Sequence, residues 1–234
     1  MSRVLPILFN TEMVRAILTG RKTATRRLIR PRYKEDESGF KILTNMGTGE
    51  RSVEKVDGEE LSFDPPRYIN PPYQPGDILY VRETWGVMRA KRYDAIVDIA
   101  FKAGGENKTI YFPYGGTDNA NRNKYDEFIK KWSKQLAFLW HPSIHMPKAA
   151  ARIYLKVTDV RVDRLQDIDG QGVLKEGLNS LVHPKADYFD INQREMFENL
   201  WNSTIKKSDQ NIYGWEANPW VWVIVFEKCE NPGK

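Results

Sequence analysis

The chain has 234 residues, enough for one large domain or two small ones, and its 41% hydrophobic content with 7 Trp, 11 Tyr and 10 Phe excludes disorder of the whole chain. A formal charge of +5 suits a polyanionic partner, because Lys and Arg that neutralise phosphates supply the sequence-independent part of nucleic-acid affinity, although many basic proteins bind no nucleic acid. No run of about 18 apolar residues occurs, the opening MSRVLPILFN is too short and too soon polar for a signal peptide, and the single Cys229 has no disulfide or metal partner of its kind; a cytoplasmic protein without membrane association is expected.

Val4 to Phe9 reads as a short apolar strand. Asn10 or Thr11 can then cap a helix carrying Met13, Val14, Ile17 and Leu18 on one face, and Gly20 stops it. Arg21-Lys22-Thr23-Ala24-Thr25-Arg26-Arg27 follows directly, in a loop or early strand just past the negative end of the helix dipole. From Tyr33 to Pro72 the chain is polar and rich in charge, Gly and Pro, with short possible strands at Phe40 to Leu43 and Leu61 to Phe63. Pro75-Gly76-Asp77 is a turn signal before a buried strand at Ile78 to Glu83.

A second irregular region, Gly86 to Trp140, holds expected strands at Ile96 to Phe101 and Thr109 to Phe112 and a helix from Asp126 to Phe138, with turns at Gly104-Gly105 and Gly115-Gly116. Ala150 to Leu165 reads as a long strand. Its Ile153, Leu155 and Val157 alternate, but Val160 and Val162 have the opposite parity, which predicts a bulge or bend near Thr158-Asp159. Asp167 to Gly177 reads as a short helix, Ile191 to Ile205 as a longer one, and Pro219 to Lys228 as a closing strand. Trp220 to Phe226 is apolar at every position, which predicts burial on both faces.

The segment after Gly20 gathers four cations and two hydroxyls within seven residues of a chain turn. Such a cluster suits an anionic ligand, while on local sequence alone a solvated basic loop is the commoner explanation. It is not a phosphate-binding P-loop, since a helix precedes it and Arg21 stands where that motif requires Gly. Trp85, beyond the buried strand, fits core packing and base stacking equally. A guanidinium such as Arg82 can pair with phosphate or carboxylate, and Arg82 and Glu83 should point to opposite faces. His141 and His145 are four apart, but Pro142 lies between them and no third ligand follows, so no metal site is expected.

The ordered series of a helix, G-R-K-T-x-T-R at Gly20 to Arg26, P-G-D-x-L-x-V at Pro75 to Val81, a strand carrying V-T-x-V, a short Glu-bearing helix and a closing apolar strand resembles the ASCH domain. Long, often phage-derived members of that group are similar through Arg82-Glu83-Thr84-Trp85 and Pro142-Ser143-Ile144-His145-Met146-Pro147. The resemblance runs over nearly the whole chain. It implies a mixed α/β (α+β) fold: a PUA-like β-barrel with flanking helices, forming a single domain over 1–234 with insertions at about 33–72 and 86–140. It also implies a role with RNA, a nucleotide or a modified nucleoside.

In hydrolytic members a Lys, a Thr and a Glu together release the acyl group from an acylated cytidine. Carried over by position, these are Lys22, Thr25 and Glu176. From their own chemistry Arg21, Arg26, Arg82, Glu83 and Trp85 are expected to bind the ligand, with neither cofactor nor metal. The trio is chemically coherent. A Thr hydroxyl needs a base, a partly desolvated Lys beside other cations can serve as one, and a carboxyl group can serve the leaving amine or the water. By local sequence alone the favoured reading of Glu176, followed by Gly177, is the last turn of a surface helix. A noncatalytic RNA- or nucleotide-binding module and a ribonuclease are the alternative functions, the latter poorly served because no His pair is evident near the trio.

Overall fold

Burial of apolar faces decides where the chain forms regular structure, and the computed structural model describes residues 2–29, 40–44, 51–55, 70–112, 120–133, 138–178 and 186–233. The expected strand at Leu61 to Phe63 and the turn at Gly115-Gly116 lie outside these residues, as does most of 33–72. The protein is mixed α/β. Strands β1 (Val4–Leu8), β2 (Ala24–Leu28), β5 (Ile78–Arg82), β9 (Tyr154–Arg164) and β10 (Trp220–Cys229) make one sheet in the order β1-β5-β9-β10-β2. β6 (Trp85–Lys91), β7 (Ile96–Phe101) and β8 (Lys108–Tyr111) make a second, and β3 (Phe40–Thr44) pairs with β4 (Arg51–Lys55). The five-stranded sheet is open, with β1 and β2 at its edges, so the described strands do not close into the barrel expected from the sequence. No helix among the described residues is long and apolar enough to cross a membrane.

Two compact units divide the chain, one of residues 1–20, 77–156 and 228–234 and the other of 21–76 and 157–227. In the first unit Asn10 caps helix α1 (Thr11–Leu18) by accepting a hydrogen bond from the Met13 amide at 2.9 Å, which satisfies one of the open N-terminal donors. Gly20, with φ +76°, ends that helix as the sequence predicts. β1 runs parallel to β5, and β5 runs antiparallel to the start of β9. The core of this unit forms where the β6-β7-β8 sheet meets helix α2 (Ala120–Trp132): Trp85, Val97, Ile99, Tyr125 and Met146 are buried together. α2 begins and ends six residues earlier than expected, because the aromatic side chains that pack inward, Tyr125, Phe128 and Trp132, lie within 120–132.

In the second unit β10 pairs antiparallel with β2, placing Val223 opposite Arg26 and Ile224 opposite Thr25. Helices α3 (Gly170–Lys175), α4 (Ala186–Thr204) and the short α5 (Gln210–Tyr213) belong to this unit. Phe197, Trp201 and Ile205 recur at helical spacing along α4 and its end, and pack with Val173, Trp215, Val221 and Val223. Val221 to Ile224 are all buried, as the unbroken apolar run predicts. The parity change in β9 is present too, since Val157 and Val162 are buried while Thr158 and Asp159 between them are exposed.

Candidate functional site

Lys22 and Glu176, 154 positions apart, meet inside the second unit. The backbone brings them there. The Thr23 amide donates to the Lys175 carbonyl at 2.8 Å, the Phe226 amide donates to the Thr23 carbonyl at 2.9 Å, and Lys22 bridges Glu176. The residues just before β2 are therefore held between the end of α3 and β10. The position of Glu176 is fixed locally: Asp169 caps α3 by accepting from the Gly172 amide, Glu176 forms its C-cap, and Gly177 at φ +90° ends it.

The Lys22 ammonium donates to Glu176 Oε2 at 2.6 Å and to the Glu176 carbonyl at 3.0 Å, and Arg26 Nη1 donates to Glu176 Oε1 at 3.1 Å. All three side chains are buried, that of Lys22 completely. The Arg26 guanidinium also lies 5.7 Å from the Phe197 ring centroid, and its Nε–H has no hydrogen-bond partner among the described residues. Gly172 leaves it room, since a Cβ there would stand 3.1 Å from Arg26 Nη2. Arg21 donates to the Gly177 carbonyl at 3.0 Å, a favourable place for a cation at the C-terminal end of α3.

Burial lowers the Lys22 ammonium below its ordinary value. Glu176 opposes that shift, and the charges of Arg27 and Arg26 add to it. Burial also lowers Arg27 and raises Tyr73, two groups that feel each other's charge. Side chains alternate along β2, so Arg26 stands on one face and Thr25 and Arg27 on the other. Thr25 is buried at 3% exposure. Glu176 acts electrostatically on Arg27, and Arg27 on Lys22.

The remaining expected ligand-binding residues belong to the first unit. Arg82 and Glu83 diverge, as neighbours on a strand should. Arg82 Nε donates to the Met146 carbonyl at 3.0 Å and its Nη2 to the Ile144 carbonyl. Glu83 is buried in a two-point ion pair with Arg152, whose Nε and Nη2 each lie 2.9 Å from a carboxylate oxygen. Burial raises the Glu83 carboxyl against the pull of Arg152. Arg152 further sits over the Phe101 ring at 3.9 Å and donates to the Gly104 and Glu106 carbonyls, both at 2.7 Å. Nothing in the sequence around Arg152 marks it as the partner of Glu83, because the pairing exists only once β5 and the start of β9 are in register.

Trp85 is fully buried, and its ring packs against Trp132 at 5.3 Å and His141 at 5.0 Å between centroids. Of its two sequence readings the structure takes the core one. Phe138 and Trp140, like Tyr93 and Tyr111, reach the surface, and none of the four carries a sequence signal of its own. No protein-family model, curated protein or solved structure matches the chain.

Proposed function

We propose that the protein is a nucleoside- or RNA-directed member of the ASCH group that hydrolyses the amide of an acylated cytidine. The observation that carries this reading is the buried Lys22–Glu176 contact, which joins two of the three positions that the resemblance assigns to catalysis. Desolvation and neighbouring cations lower Lys22 toward the range in which an amine accepts a proton. In the proposed reaction the base is the neutral amine form of Lys22, reached when the ammonium loses its proton to solvent: the Thr25 hydroxyl oxygen attacks the acyl carbonyl carbon and gives its proton to that amine. The C–N bond then breaks, and the proton passes to the departing exocyclic nitrogen with Glu176 orienting the ammonium. Water attacks the carbonyl carbon of the resulting Thr25 ester and loses a proton to Lys22; the ester C–O bond breaks, Lys22 gives that proton to the Thr25 oxygen, and the free hydroxyl and a carboxylic acid result.

The test is release of cytidine from N4-acetylcytidine, followed by chromatography, for wild type, Thr25→Ser and Thr25→Val with matched thermal unfolding curves. Thr25→Ser should retain part of the rate and Thr25→Val almost none. Equal rates in wild type and Thr25→Val would remove Thr25 from the mechanism.

One feature favours a second reading, a noncatalytic nucleotide- or RNA-binding site. Both Glu176 carboxylate oxygens are already engaged by cations, and Arg26 stands on the strand face opposite Thr25. Saturable binding of cytidine nucleotides without turnover, weakened by Arg21→Ala, would select it.

A further inference from the structure

We propose that the segment from Phe138 to Lys148, together with the end of α2, forms a surface on which a single-stranded nucleic acid stacks its bases. Phe138, Leu139, Trp140 and Ile144 are 46%, 48%, 43% and 59% exposed, although they follow one another closely in a well-packed unit. Apolar side chains gathered at a surface mark a place that a partner covers.

These side chains are held from beneath. The Trp85 and His141 backbones exchange hydrogen bonds at 3.2 and 2.7 Å, and the Arg82 guanidinium binds the Ile144 and Met146 carbonyls. Gly86 lets the segment lie against β6, because a Cβ there would stand 2.7 Å from the Leu139 oxygen and 2.8 Å from the Phe138 ring. Phe138 and Trp140 meet edge to face with centroids 4.7 Å apart. A partner that stacks on them therefore meets rings already in position, with little ordering cost.

Along the segment that carries the rings, the charged side chains are basic. Residues 128–133 and 138–148 contain no Asp or Glu, and they present Lys131, His145 and Lys148 to solvent. Lys131 lies 4.9 Å from the Trp132 ring, which in turn contacts His141 and His145. Aromatic faces interleaved with cations suit a chain of phosphates and unstacked bases. A duplex would offer the phosphates while hiding the base faces. All these residues belong to the first unit, whereas Lys22, Thr25 and Glu176 belong to the second, so the surface is independent of the catalytic reading.

Fluorescence anisotropy on the full chain tests this with labelled oligouridylate and oligodeoxythymidylate strands of about 12 nucleotides and an RNA duplex of the same length. Both single strands should bind more tightly than the duplex, and Trp140→Ala and Phe138→Ala should each raise their Kd about fivefold or more. Lys131→Ala should reduce the slope of log Kd against log salt by about 0.7. Release of cytidine from the free nucleoside should be unaffected by Trp140→Ala. Its absence alongside normal oligonucleotide binding would count against the hydrolase alone. Wild-type affinity in a Phe138→Ala/Trp140→Ala double variant, equal binding of duplex and single strand, or a self-associated species that Trp140→Ala dissolves while oligonucleotide binding persists would each overturn the proposal, the last in favour of a protein contact.

Discussion

Replacing Glu176 by Gln keeps the shape of the side chain and removes the negative charge shared by Lys22 and Arg26. The Lys22 side chain is 0% exposed and that of Arg26 4%, so neither cation can turn to water for compensation. Removing one partner of a buried ion pair in this way costs about 3–5 kcal/mol. Lys22→Met should cost less, about 1.5–3 kcal/mol for a charged hydrogen bond, because Glu176 keeps Arg26 and a desolvated ammonium is no longer buried. At about 2–4 °C of Tm per kcal/mol for a protein of this size, Glu176→Gln should lower Tm by roughly 6–20 °C. Urea unfolding followed by both Trp fluorescence and far-UV circular dichroism measures the two losses. A loss below about 1 kcal/mol for Glu176→Gln, or one no larger than that of Lys22→Met, would refute the view that this carboxylate compensates two buried cations.

Three further outcomes follow from local geometry. Asn10→Ala removes the side-chain cap of α1 and should cost about 1 kcal/mol in thermal unfolding, with Asn10→Ser restoring most of it. Gly86→Ala forces the Leu139 carbonyl or the Phe138 ring to move and should cost about 1–3 kcal/mol in the same measurement. Glu83 holds its proton to a higher pH when folded than its ordinary value of 4.5, so its contribution to stability is fully present below that pH and is lost as pH rises through the folded value. The stability of wild type minus that of Glu83→Gln should therefore fall with rising pH over that window, and a flat difference would contradict the shift.

The elements legible in the sequence are those whose signal is local. The Asn10 cap, the stop at Gly20, the turn at Gly76 and the fully apolar run of β10 all appear where their residues put them. The parity break in β9 was equally visible, because alternation on a strand leaves a mark on the sequence itself. β6 was not legible. Its inward Trp85 and Gly86 are followed by exposed Met88, Arg89 and Lys91, a pattern that gives no clean period. Nor was the open sheet, since whether strands close into a barrel depends on pairings between distant segments.

At the candidate site the sequence supplied Lys22 and Glu176 through resemblance, and the fold brings the two together. Arg26 was expected to bind ligand, but its distance from Glu176 in the chain hid the internal pair it makes. Glu83 and Arg152 show the same limit, since complementary charges 69 positions apart leave no local trace.

We propose that Lys22, Thr25 and Glu176 act as one hydrolytic unit on an acylated cytidine. Its most direct test is time-resolved mass spectrometry of the intact protein mixed with N4-acetylcytidine, comparing wild type with Thr25→Val. Wild type should show cytidine release together with a transient acetyl adduct that maps to Thr25, and Thr25→Val should show neither. Cytidine release at the wild-type rate from Thr25→Val, or no release from a correctly folded wild-type chain, would contradict it.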